Sequence, residues 1–201
     1  MIRRGVLAAA AALERAEAHL TELDAAAGDG DLGASMTRAA AAIRALPEEA
    51  WSSHPAAVLT RIADALRRAI GGTSGPLYAT GLLRAAQFLP DTPSASDWSA
   101  ALAAGVNAVS ELGGAKPGDR TMLDALHPAA TAFAAGLGAG RSAAEAWDEA
   151  VAAAQEGAAA TAHMYPKLGR ASYLGHRVIG RVDAGAAAAA IWIQAAWPLP
   201  E

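Results

Sequence analysis

The chain has 201 residues, a formal net charge of −4 and no cysteine. That length suits one domain with a sizeable core. The missing cysteines exclude disulfides, thiolate zinc sites and cysteine nucleophiles, and the mild acidity leaves no bulk basic face for nucleic acid. Hydrophobic residues make up 53% but aromatic ones only 5%, so alanine carries the apolar count and closely packed helices are expected.

The opening Met1-Ile-Arg-Arg-Gly-Val-Leu resembles a weak signal peptide, but Glu14, Arg15 and Glu17 interrupt it early. Residues 3–23 read as a first helix, with Val6, Leu13 and Leu20 at seven-residue intervals. An acidic loop ends it. A second helix runs from Gly33 to Leu46, where Pro47 stops it. A third covers His54 to Ile70, with Val58, Ile62, Leu66 and Ile70 as an apolar stripe. After Gly71–Gly75, a fourth runs from about Pro76 to Phe88.

Asp97 is expected to cap a fifth helix carrying Trp98, Leu102, Val106 and Val109. The glycine-rich loop Gly113–Asp119 follows. The sixth helix spans Thr121 to Leu137, and Ser142 with Glu145 forms a capping box for the seventh. Residues 165–185 hold four glycines and three arginines with little periodicity, the mark of a long functional loop. A last helix covers residues 186–197; with Gln194 and Pro198 it is too short to cross a bilayer. No strand pattern, internal repeat or dividing linker stands out. The expectation is one all-α domain over 1–201, an eight-helix antiparallel up-and-down bundle closed into a barrel, cytoplasmic and without a membrane or nucleic-acid partner.

The stretch Asp24-Ala-Ala-Ala-Gly-Asp-Gly-Asp31-Leu-Gly33 places three carboxylates within eight residues, among glycines that let the backbone turn. Aspartate oxygens suit hard cations such as Mg²⁺. The stretch also spells G-x-G-x-x-G, but a helical pattern rather than a strand precedes it. An EF-hand is excluded because the fifth and twelfth positions from Asp29 are Gly33 and Ala40. A metal-first phosphate site and a solvated acidic turn both fit this stretch alone.

In an up-and-down bundle alternate connections share one end. The acidic loop, Gly71–Gly75, Gly113–Asp119 and Tyr165–Gly185 are therefore expected together, with the plainer connections opposite. Asp24, Asp29 and Asp31 would hold Mg²⁺, while Gly33, Ser35, Thr73 and Ser74 reach phosphate oxygens. Gly113-Gly114 offers bare backbone to a flat base, Met122 a thioether, and Arg170 a cationic fork. That inventory suits phosphoryl transfer. Met122 also fits a core position, and Thr73 and Ser74 also fit a helix cap. None of the five histidines has metal-ligand spacing or a catalytic assignment.

Four motifs in order carry a resemblance to a known family. Asp24…Gly28-Asp-Gly-Asp31…Gly33, Thr73-Ser-Gly-Pro-Leu-Tyr78, Gly113-Gly-Ala-Lys-Pro-Gly-Asp119…Thr121-Met-Leu-Asp-Ala-Leu126 and Gly169-Arg-Ala-Ser-Tyr-Leu-Gly175…Gly180…Asp183…Gly185 resemble the nucleotide-binding L subunit of dihydroxyacetone kinase. The resemblance implies an eight-helix barrel holding ADP or ATP and two Mg²⁺ at one end. It implies metal binding by Asp24, Asp29 and Asp31, which with Arg170 form the catalytic set. It implies nucleotide contacts at Leu32, Gly33, Ala34, Ser35, Thr73, Ser74, Gly113, Met122, Arg170, Asp183, Ala184 and Gly185.

The resemblance also implies a dihydroxyacetone-binding K subunit as partner. In one branch of the family ADP stays bound and a phosphotransferase-system M subunit recharges it. In another, ATP exchanges freely. Some members act as regulatory subunits that dock on a transcription factor. The chain departs from the commonest pattern at Leu32, Arg120, His176, Arg181 and Ala184, which leaves room for another small ketose such as erythrulose.

Overall fold

The computed structural model describes residues 2–196. Among them lie nine α-helices and no strand: α1 (Ile2–Arg15), α2 (Glu17–Ala25), α3 (Leu32–Arg44), α4 (Pro55–Ala69), α5 (Ser74–Ala86), α6 (Ala95–Gly113), α7 (Leu123–Gly138), α8 (Ala143–Ala160) and α9 (Ala184–Ala195). Trp197, expected at the end of the last helix, lies outside the described residues. The all-α up-and-down bundle expected from the sequence is the fold observed. Each helix from α3 onward packs on the next, and α9 packs on α8 and on α1.

The count differs from eight because the first expected helix is interrupted at Ala16. Its φ of −89° and ψ of 2° leave the helical range, although Leu20 N still donates to Ala16 O at 2.9 Å. No glycine or proline marks this break in the sequence. A second difference concerns α6. Ser94, not Asp97, is its N-cap: Asp97 N donates to Ser94 Oγ at 3.2 Å, and Ser94 N donates back to the Asp97 carboxylate at 2.8 Å. Asp97 is the third-residue (N3) partner of a capping box, the same device that Ser142 and Glu145 build on α8.

Small residues set the helix spacing. A Cβ on Gly5 would lie 2.2 Å from Ala196 O, where α1 meets the end of α9. A Cβ on Gly157 would lie 1.9 Å from Asp124 O, where α8 crosses α7. That seam also carries Ala146, Ala150 and Ala154, all fully buried, and an edge-to-face contact of Phe133 with Trp147 at 5.2 Å. Side chains of seven helices line an apolar cavity of about 230 Å³, bounded by Leu13, Met36, Leu59, Leu82, Trp98 and Trp192 among others. Tyr78 also lines it, and burial raises the pKa of its phenol. Among the described residues, no helix is long and apolar enough to cross a membrane.

This seam predicts a contrast between two glycines. Gly157→Ala should destabilise the fold by about 1–3 kcal/mol, the usual range for overpacking. Gly138→Ala, whose Cβ meets nothing within 4 Å, should be neutral or slightly stabilising. Urea midpoints of the two variants measure the difference.

Candidate active site

The acidic loop is held by its own backbone. Asp24 sits in the last turn of α2, and one of its carboxylate oxygens accepts from Leu32 N, the first amide of α3, at 3.1 Å. Gly28 N donates to Asp24 O at 2.5 Å. Gly30 takes a φ of 74°, a conformation open to glycine. Gly33 is pressed on α2 so closely that a Cβ would lie 2.1 Å from Thr21 Oγ1 and 2.2 Å from Glu17 O. These contacts start α3 directly on α2 and bend the intervening loop back.

The carboxylates of Asp24, Asp29 and Asp31 each place an oxygen within 4.8 Å of the others. Asp31 stands at the N-cap position of α3 but makes no cap bond. Its carboxylate is therefore not a helix cap, which is what a merely structural turn would use it for. The donor set is hard oxygen throughout, and it fits a divalent cation of the Mg²⁺ type. The α3 N-terminus adds a positive dipole beside it.

At this end two connections are tied directly to the 161–183 segment, and the helix ends flanking Gly71–Gly75 adjoin α3 and α6. Arg170 Nη1 pairs with the Asp29 carboxylate, which ties the acidic loop to the 161–183 segment. Arg38 of α3 donates through Nη2 to Ser35 Oγ at 2.8 Å and through Nε to Ala69 O at 3.3 Å, beside the Gly71–Thr73 turn. Gly113, at the end of α6, is separated from the Leu77 side chain of α5 by only a methyl group's width. Lys167 Nζ donates to Asp119 Oδ1 at 2.7 Å, and Lys167 N donates to Asp119 O at 3.3 Å. Arg120 Nη2 donates to Arg181 O at 2.9 Å. The expectation that the four glycine- or charge-rich connections gather at one end is met by these contacts.

Individual residues fall as follows. Leu32, Gly33 and Ser35 are buried, and Ala34 is half-buried. Ser35 Oγ already accepts from Arg38, leaving its O–H as a donor. Thr73 is exposed at the N-cap position of α5 and makes no side-chain cap bond, so capping does not account for it; Ser74 opens the helix. Gly113 and Gly114 are exposed, and Gly114 has open space where a Cβ would stand. Met122 belongs to the core, yet its Cβ lies 3.7 Å from the Cβ position of Gly185. Asp183 caps α9 by accepting from Ala186 N at 2.9 Å, and its own N donates to Thr161 Oγ1 at 2.8 Å.

Burial raises the pKa of Asp183, with Ala186 N and Arg120 opposing. Burial lowers that of Arg120, with Asp183 opposing. The 165–185 stretch, expected as an irregular loop, contains short 3₁₀ turns at Arg170–Tyr173 and Gly175–Val178. Arg120 and Asp124 escaped the sequence reading as site residues. Asp124 accepts from Gly118 N at 2.5 Å and Thr121 N at 2.8 Å and so shapes the loop. Its place three residues after Thr121 is the one sequence signal for that role.

The fold and this end of it define a helical domain with clustered carboxylates, exposed glycine backbone and a facing arginine. A family model described as the DAK2 domain matches residues 26–197, and the chain belongs to that family. It is 44% identical over 175 residues to triokinase/FMN cyclase of Mus musculus, covering 87% of this chain and 30% of that one. It is 38% identical over 195 residues to D-erythrulose kinase of Mycolicibacterium smegmatis, covering 95% and 34%. The crystal structure of the dihydroxyacetone kinase of C. freundii superposes with a TM-score of 0.76 at 30% identity, covering 96% of this chain and 33% of that chain. That kinase has also been solved in complex with AMP-PNP and Mg²⁺. The chain thus spans about a third of the length of these relatives.

The Asp119–Lys167 clasp carries a pH prediction. The ammonium of Lys167, then Lys116 N, holds the Asp119 carboxyl below its ordinary range. The clasp's contribution is complete above the unfolded carboxyl pKa of about 3.9 and is lost as pH falls through the lower folded value. The Lys116 amide shift, followed by NMR, should titrate with a midpoint below that reference value. In Lys167→Met the midpoint should move up toward it.

Proposed function

We propose that this domain binds an adenine nucleotide with Mg²⁺ at its four-loop end and passes the γ-phosphoryl group to dihydroxyacetone held on a separate K subunit. The observation that carries the proposal is the convergence of Asp24, Asp29 and Asp31 without any helix-capping duty for Asp31. Those three residues would hold two Mg²⁺ ions, which when bound neutralise phosphate charge. The relatives named as kinases, and the neighbour crystallised with AMP-PNP and Mg²⁺, support the reading.

The chain's own residues take these parts. The exposed hydroxyl of Thr73, Ser74 and the Gly33 and Ala34 amides of α3 meet phosphate oxygens. Gly113 and Gly114 give a base a flat backbone, bordered by Met122 and by Asp183, Ala184 and Gly185. Arg170 is 63% exposed and pairs with a carboxylate that is itself partly exposed, so its fork is free to turn toward a phosphate. In the transfer, the bond from the γ-phosphorus to the β-bridging oxygen breaks and a bond to a ketose hydroxyl oxygen forms. The hydroxyl proton is released on the acceptor side. ADP remains, and a phosphotransferase-system M subunit recharges it in place.

A second reading is favoured by the erythrulose kinases among the relatives. In it ATP exchanges freely and the acceptor is a four-carbon ketose. Mass analysis of nucleotide released on denaturation separates the two: retained ADP supports recharging, an empty site supports exchange. A nucleotide-loaded subunit docking on a transcription factor would bind that protein and transfer nothing to any K subunit.

Calorimetry with Mg·ADP tests the common core of these readings. Asp29→Ala should weaken binding by more than about 100-fold, the upper end of what outer-shell partners cost. Unchanged binding in a folded Asp29→Ala protein would overturn the assignment. Phosphoryl transfer to dihydroxyacetone should require added K subunit, and Arg170→Ala should slow it more than it weakens nucleotide binding.

A further inference from the structure

We propose that Arg120 is a positioning residue whose buried guanidinium fixes the 161–185 segment against the 113–124 loop, and so sets the spacing of two faces of the nucleotide pocket. The inference rests on the nucleotide reading above and assigns a role to a residue that touches none of the proposed ligands.

Arg120 is 1% exposed, among the largest fully buried side chains of the bundle. It is the one non-glycine residue with positive φ, at 63°, among those described. Its Nη2 donates to Arg181 O at 2.9 Å, and its Nη1 lies 3.6 Å from Asp183 Oδ2. Among the described residues Nε and Nη1 have no hydrogen-bond partner. The residue thus combines two costs. A left-handed backbone disfavours any side chain, and a buried cation with incomplete pairing loses its hydration. Stability alone would be served by glycine for the backbone, or by an apolar chain for the volume.

The surroundings hold the arginine where it is. Asp124 accepts from Gly118 N and Thr121 N, clamping the loop on both sides of it. Facing the guanidinium, Asp183 donates its N–H to Thr161 and caps α9 through its carboxylate. Asp183, Ala184 and Gly185 form one proposed face of the pocket; Gly113 and Met122 form the other. Arg120 spans from the loop carrying the second face to the residue that begins the first. Strain that persists because its neighbours fix it is characteristic of residues placed for geometry.

Three variants test this: Arg120→Met keeps volume and removes charge, Arg120→Lys keeps charge, and Asp183→Asn removes the opposing charge. Mg·ADP affinity is measured by calorimetry below each melting transition, alongside amide exchange over residues 178–186. Arg120→Met should weaken nucleotide binding about tenfold and speed exchange at Asp183 and Ala186, even where its melting temperature equals or exceeds that of the unchanged protein. Arg120→Lys should restore most of both. Arg120→Met combined with Asp183→Asn should bind no worse than the weaker single variant.

Folded Arg120→Met with unchanged affinity and unchanged exchange would overturn the inference. So would losses that multiply in the double variant. If Arg120→Met does not fold, Arg120→Gln, which also removes the charge, decides by the same two readouts. If the unaltered chain binds no Mg·ADP, the nucleotide reading fails instead, and the exchange comparison alone decides whether Arg120 couples the two segments.

Discussion

Three like charges are forced together at one end of this bundle, and much of the local structure exists to keep them there. Carboxylates with oxygens within 4.8 Å of one another repel unless something compensates. Three compensations are visible: the first amide of α3 on Asp24, the dipole of that helix, and Arg170 on Asp29. The backbone supplies the restraint. Gly33 lets α3 begin in contact with Glu17 and Thr21, so the loop between α2 and α3 has no slack through which the carboxylates could move apart.

Precision at the loop end depends on how the helices pack below it. Alanine and glycine at the seams let backbones approach closely, as at Gly157 against Asp124 O, and closely packed helices hold their termini in fixed relation. Asp124 belongs to both levels. Its carbonyl receives Gly157 of α8, while its carboxylate binds the amides of Gly118 and Thr121. The packing of α7 on α8 is therefore joined through one residue to the shape of the loop that offers Gly113 and Met122.

Much of this arrangement was legible in the sequence because its signals are local. Three aspartates among glycines, a capping box at Ser142 and Glu145, and apolar stripes on the third and fifth expected helices each depend on residues a few positions apart. The gathering of four loops followed from counting helices. The break at Ala16 did not, because an alanine-rich stretch without glycine or proline gives no sign of where it will bend. The start of α6 was misplaced because Asp97 is an acceptable cap in isolation, and only the reciprocal bonds with Ser94 identify the true one. Arg120 stands out in the sequence only as a departure from the family pattern, and its burial does not show there for a different reason. An arginine in a glycine-rich loop of an acidic chain reads as solvated, and its burial is decided by Arg181 and Asp183, sixty-one and more positions away.

Exposure divides this end of the molecule into two layers. The loop-shaping residues Asp119, Arg120 and Asp124 are buried. Of the groups assigned to cation, phosphate and base, Asp29, Asp31, Thr73, Gly113 and Arg170 face outward, while Ser35, Met122 and Ala184 are buried. A buried inner layer thus carries an outer layer of charge and bare backbone that is open to approach. In the proposed reading a phosphoryl acceptor would approach across that face, close to Arg170 and its partner Asp29.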